Sequence, residues 1–139
     1  LKKTQIFICL VLLFGMGFSV HAEEDDGSRW FIYELLKFYI PVDVEQQYKA
    51  ENRIYFAYIT DGKDPKQFMK VSDISLDEQG RPYFLVSFKI KPTWTEGTVI
   101  DVRPNYYDRV TYQVYPALLR LYGESKGIKR FKYEKKVSN

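Results

Sequence analysis

The chain is 139 residues long, 45% hydrophobic, 28% charged and 17% aromatic, with 21 Lys and Arg against 18 Asp and Glu for a formal net charge of +3. Its only Cys (Cys9) and only His (His21) both fall in the first 22 residues. Residues 23–139 therefore offer no thiol nucleophile, disulfide, imidazole base, or Cys or His metal ligand, which leaves carboxylate, Tyr, Lys, Ser and Thr chemistry.

Leu1 to Ala22 begins with Lys2 and Lys3, runs through an apolar stretch from Ile6 to Val20, and ends in the small-x-small sequence Val20-His21-Ala22. This pattern predicts a signal peptide (residues 1–22) cleaved before Glu23, because the apolar run is shorter than the ~20 residues needed to span a bilayer. It implies a secreted or cell-envelope protein with no integral membrane span after cleavage. Cys9 lies inside the apolar run, not behind the cleavage site, which argues against a lipid anchor. Residues 23–28, Glu-Glu-Asp-Asp-Gly-Ser, read as a flexible lead. Residues 29–139 suffice for a single domain with its own core.

Ser28 is a candidate N-cap, and Trp30, Phe31, Leu35, Leu36, Phe38, Tyr39 and Ile40 follow at helical spacing, predicting a helix over 29–40. Pro41 interrupts it. Val42, Val44 and Tyr48 read as a further helical stretch with Pro41 at its first position, so two helices and one kinked helix fit equally. After Asn52 the period changes to two. Strands are predicted over 53–60, closed by Asp61-Gly62; over 68–76; over 82–91, with Phe84, Val86, Phe88 and Ile90 on one face; over 98–103; over 109–115, with Val110, Tyr112 and Val114 inward; and over 128–134. Asp77-Glu78-Gln79-Gly80 is the turn of the clearest hairpin, and Ala117–Tyr122 reads as a helical turn. The expected fold is α+β, an N-terminal helix or helix pair packed on a curved antiparallel sheet of about five strands. Cystatin-like and nuclear-transport-factor-like folds share that order, by analogy alone.

Two blocks carry a family resemblance: Leu35-Leu36-x-x-Tyr39-Ile40 with Val44 and Tyr48 beyond, and Arg109-Val110-Thr111-Tyr112-Gln113-Val114 followed by Gly127-Ile128-Lys129-Arg130-Phe131-Lys132. They resemble a family of small secreted proteins of unknown function from Bacillus-type bacteria. The resemblance covers about half of residues 23–139 and implies secretion and a small α+β fold; it brings no catalytic residues.

Tyr, Phe and Trp make up about a fifth of residues 23–139, more than a core of this size requires. Cross-strand pairing accounts for part of the excess. The cluster Trp94, Tyr106, Tyr107 and Tyr115 lies near Pro92, Gly97, Pro104 and Asn105, where loops carry function, and is the candidate ligand-binding patch. From Arg120 onward seven Lys and Arg face two Glu. Lys126, Lys129, Arg130, Lys132, Lys135 and Lys136, interleaved with Phe131 and Tyr133, form a candidate surface for an anion or partner. An anionic wall polymer, a protein partner or an acidic membrane suits such a surface; export makes nucleic acid the least fitting. The alternative is an edge strand whose lysines discourage aggregation.

For catalysis, Asp73, Asp77, Glu78, Glu96, Asp101 and Asp108 are available as acid and base for a glycosidic bond, but none sits in a motif. Asp61-Gly62-Lys63-Asp64 lacks the alternating ligands and closing Glu of a calcium loop and reads as a turn. With no Gly-rich phosphate loop, Ser-x-x-Lys or Gly-x-Ser-x-Gly, neither a cofactor nor a metal is expected. The reading is a small exported non-catalytic binding or interaction domain. Its alternatives are a carboxylate-based hydrolase of an extracellular glycan and an inhibitor or immunity-type protein partner.

Overall fold

A computed structural model describes residues 24–138, with side chains from residue 27; the expected signal peptide lies outside the described residues. The fold is α+β, with N-terminal helices packed on an antiparallel sheet. The first helix, α1 (Glu24–Leu36), starts inside the segment expected to be a flexible lead, so Ser28 is within the helix and is not its cap.

The second helix, α2 (Tyr39–Tyr48), is separate, and the break falls at Lys37-Phe38, upstream of Pro41. In a continuous helix the Pro41 N–H would bond the Lys37 carbonyl; proline has no such N–H, so the chain opens one turn earlier. Pro41 then occupies the first turn of α2, where N–H groups lack intrahelical acceptors anyway. Ile32, Leu36, Ile40, Val44 and Tyr48, at a constant spacing of four across both helices, are buried against the sheet.

The centre of the sheet is β4 (Pro82–Glu96). Along one edge lie β1 (Arg53–Thr60), opposite Ile90–Glu96, and β2 (Met69–Val71), opposite Val86–Phe88; β3 (Ser75–Leu76) pairs with Pro82 and Tyr83. Along the other lie β5 (Val99–Val102), opposite Trp94 and Glu96, and β6 (Tyr107–Val114), opposite Phe84–Ile90. The outermost strand, β7 (Ile128–Val137), pairs with β6. Two short helices, α3 (Pro65–Phe68) and α4 (Pro116–Tyr122), and a turn of helix α5 (Glu124–Gly127) fill the connections.

Three expectations are corrected. The central strand does not stop at Lys91 but continues through Pro92 to Glu96. Between Ile90 and Trp94 it has β1 as neighbour but neither β6 nor β5, so a residue without an N–H is accommodated. The single strand expected over 68–76 is a helical turn and two short strands. Asp64 starts that turn with a capping box shared with Gln67, and in the gap between β2 and β3 the Ser72 hydroxyl takes the Leu85 N–H of β4 at 2.8 Å in place of a backbone acceptor. In β1 the alternation breaks at a bulge between Ile54 and Ala57, where Tyr55 is left-handed at φ 53° and both Ile54 and Tyr55 are exposed.

The turn at Asp77–Gly80 is as expected. Asp77 accepts from the Gln79 and Arg81 backbone N–H groups, and Gly80 takes φ 73°. Phe84, Val86, Phe88, Ile90, Val110, Tyr112 and Val114 face the helices and form the core. Among the described residues no helix is long and apolar enough to cross a membrane.

Candidate functional site

Because neighbouring residues of a strand point to opposite faces, burial of the even-numbered residues of β4 and β6 turns their odd-numbered ones away from the helices. The registers align that outer face in rungs. One runs Lys70, Ser87, Thr111, Lys132; the next runs Lys89, Arg109, Glu134. Lys91 and Lys129 extend the same face toward its two ends. It thus gathers Lys70, Lys89, Lys91, Arg109, Lys129 and Lys132, with Glu134 as the carboxylate within the rungs.

Glu134 meets Lys132 at 2.9 Å and Arg109 at 3.8 Å, and the Lys132 bond holds its carboxyl below the usual range. At one end the Lys89 and Lys91 ammonium groups lie 4.5 and 5.1 Å from the centre of the Tyr107 ring. The Tyr107 hydroxyl donates to Asp61 at 3.0 Å, which raises its pKa. At the centre the Ser87 and Thr111 hydroxyls bond each other at 2.8 Å. Beside them is a depression of about 150 Å³ whose lining includes Lys66, Lys70, Lys89, Arg109, Ser87 and Ser138 over Phe68 and Met69.

The helix-facing side holds a different polar arrangement. Asp108, fully buried, accepts from the Tyr48 and Tyr133 hydroxyls at 2.7 Å each and from the Lys136 backbone N–H at 2.9 Å. Asp43, also buried, accepts from the Tyr112 hydroxyl at 2.6 Å and from Arg130 at 3.0 Å, while Arg130 also reaches Gln46. Burial, then the carboxylate partner, pushes the pKa of Tyr48, Tyr112 and Tyr133 well above the ordinary phenol value. These bonds tie α2 to β6 and β7 and give two buried carboxyl groups the donors that burial requires.

Asp108, one of the carboxylates considered for glycoside hydrolysis, is therefore enclosed by its donors. Asp77, Glu96 and Asp101 each pair with a nearby arginine, Arg81, Arg53 and Arg103 respectively. The carboxyls of Glu96 and Asp101 are held below the usual range chiefly by hydrogen bonds, from Trp94 and Arg53 for Glu96 and from Arg103 for Asp101. Among the described residues no group of three or more His, Cys, Asp or Glu side chains is placed to hold a metal ion.

The four aromatic residues singled out in the sequence do not form one patch. Trp94 is buried on the helix side, stacked on Tyr48 at 5.0 Å, with its N–H on Glu96 and Arg53 over its ring at 4.6 Å. Tyr106, half-buried, packs against the core beneath Lys136. Tyr107 is on the outer face. Tyr115 is buried between Arg81 and Lys129, eight residues further along extended chain and hence about 26 Å away at ~3.3 Å per residue. Position along the chain placed all four near turns, but strand alternation and strand length separate them.

The basic C-terminal residues are sorted in the same way. Lys129 and Lys132 reach the outer face. Arg130 turns inward to Asp43, Lys135 donates to the Gln47 carbonyl, Lys136 covers Tyr106, and Lys126 sits exposed in α5. Sequence reasoning missed Lys70, Lys89, Lys91 and Arg109. The signal available was the strict alternation of Lys89 and Lys91 with Phe88 and Ile90, and of Arg109 with Val110.

A second depression, about 290 Å³, lies between α2 and β1 and is lined in part by the exposed Val42, Ile54 and Tyr55. Compared with known proteins, the chain matches no family model, no curated protein and no solved structure, so no residue inherits a role from a relative.

Proposed function

We propose that the protein is a non-catalytic binding domain that holds an anionic polymer against the outer face of its sheet. The observation that carries this reading is the gathering of six cations from four strands onto one face, with one carboxylate in their rungs. Like charges held side by side repel, and a polyanion laid across them relieves that repulsion while releasing its own counterions. With export expected from residues 1–22, the polymer is an envelope or extracellular one, not nucleic acid.

The test is affinity for a long polyanion as a function of ionic strength, read by calorimetry. Affinity is expected to fall steeply from about 0.05 to 0.5 M salt as the screening length shrinks. Lys91→Gln and Lys132→Gln are each expected to weaken binding a few-fold. Binding that ignores salt, or that survives both substitutions together, rules the reading out.

A further inference from the structure

We infer that the depression formed by α3, β2, β4 and β6 takes a single tetrahedral oxyanion, phosphate or sulfate, and that the polymer of the outer face carries such groups instead of carboxylates. The inference rests on the reading above. Its basis is the depression itself, where Lys66, Lys70, Lys89 and Arg109 line one volume of about 150 Å³. That is well below the roughly 300 Å³ at which pockets begin to enclose small organic ligands. A five-atom oxyanion and a few waters fit; a sugar ring enclosed whole does not.

Donor geometry favours a tetrahedral group over a planar one. The lining residues that carry three ammonium groups and a guanidinium, Lys66, Lys70, Lys89 and Arg109, come from a helical turn and three strands. A tetrahedral oxyanion spreads its acceptor oxygens over as many directions, whereas a carboxylate presents two oxygens in one plane. Ser87 adds a neutral donor: when Thr111 donates to the Ser87 oxygen, the Ser87 proton is free to point at the ligand. Phe68 and Met69, which also line the depression, are buried in the core and fix the chain that carries Lys66 and Lys70.

The experiment titrates the protein with inorganic phosphate, sulfate and acetate at low salt while following its backbone amides by NMR, and then compares polyphosphate with polyglutamate. Saturable shifts centred on Lys70, Ser87 and Arg109 with phosphate and sulfate, and none with acetate, are expected. Lys70→Gln with Arg109→Gln is expected to lower phosphate affinity about tenfold, and Lys70→Gln alone a few-fold, while Lys49→Gln on the helix side leaves it unchanged. A tenfold preference for polyphosphate over polyglutamate supports the polymer-borne source. Equal binding of the two polymers, with phosphate still saturating, overturns that half and assigns the pocket to free oxyanion. Absence of saturable shifts overturns the pocket even where polyglutamate binds, which leaves the outer-face reading intact. Failure of both polymers to bind at low salt overturns the outer-face reading instead.

Discussion

Asp108 shows how much one side chain carries here. It is fully buried and takes three donors, two from tyrosine hydroxyls and one from the β7 backbone. Asp108→Ala strands all three, and a loss of about 3–5 kcal/mol in urea unfolding is expected, against about 1 kcal/mol for Tyr133→Phe. The tyrosines also set an alkaline limit. The Tyr39 hydroxyl, desolvated and donating to Glu124 at 2.6 Å, is pushed up to about 12. The folded state thus holds this proton more tightly than the unfolded chain does. Its contribution to stability is complete below pH ~10 and is lost between there and about 12, and Tyr48, Tyr58, Tyr112 and Tyr133 act in the same direction. A late fraction of the phenolate absorbance, belonging to these five tyrosines, is expected to rise together with loss of near-ultraviolet circular dichroism; complete titration of every tyrosine before the dichroism is lost would contradict this. None of these pairings was legible in the sequence. Tyr48 and Asp108 are 60 residues apart, and nothing local distinguishes Asp108 from the other carboxylates.

At the scale of elements, regular stretches were legible and interruptions were not. The apolar alternation of Phe84 to Ile90 and of Val110 to Val114 is a local property that survives folding unchanged. The bulge in β1 is not local, since it exists to fit β1 against a fixed β4. Tyr55 sits there in the left-handed region and is exposed, so its ring contributes little packing. Tyr55→Gly is expected to hold or raise stability, by up to about 1 kcal/mol, and Tyr55→Val to lower it by about 1–2 kcal/mol, both read as shifts in thermal midpoint. The α4–α5 corner is tighter. A Cβ on Gly127 would lie 2.5 Å from the Leu119 backbone nitrogen. Gly127→Ala is expected to cost about 1–3 kcal/mol, because backbone and not a flexible side chain must yield.

For the molecule as a whole, the two faces of the sheet divide the work. The helix side holds the core and its two buried carboxyl groups, and the outer side carries the charge. If the oxyanion pocket is occupied as inferred, phosphate at about 100 times its dissociation constant should stabilise the protein by about 2.7 kcal/mol, a thermal-shift effect lost in the Lys70→Gln, Arg109→Gln variant. By itself the sequence determined what depends on neighbours along the chain: an α+β order, an N-terminal helical segment interrupted near Pro41, the principal strands and their inward faces, and the absence of thiol and imidazole chemistry from residues 23–139. Only the tertiary structure decided which polar residues meet. Lys70, Lys89, Arg109 and Lys132 stand in adjacent rungs because of strand register, and register is settled by burying the opposite face, not by any pattern among the lysines themselves.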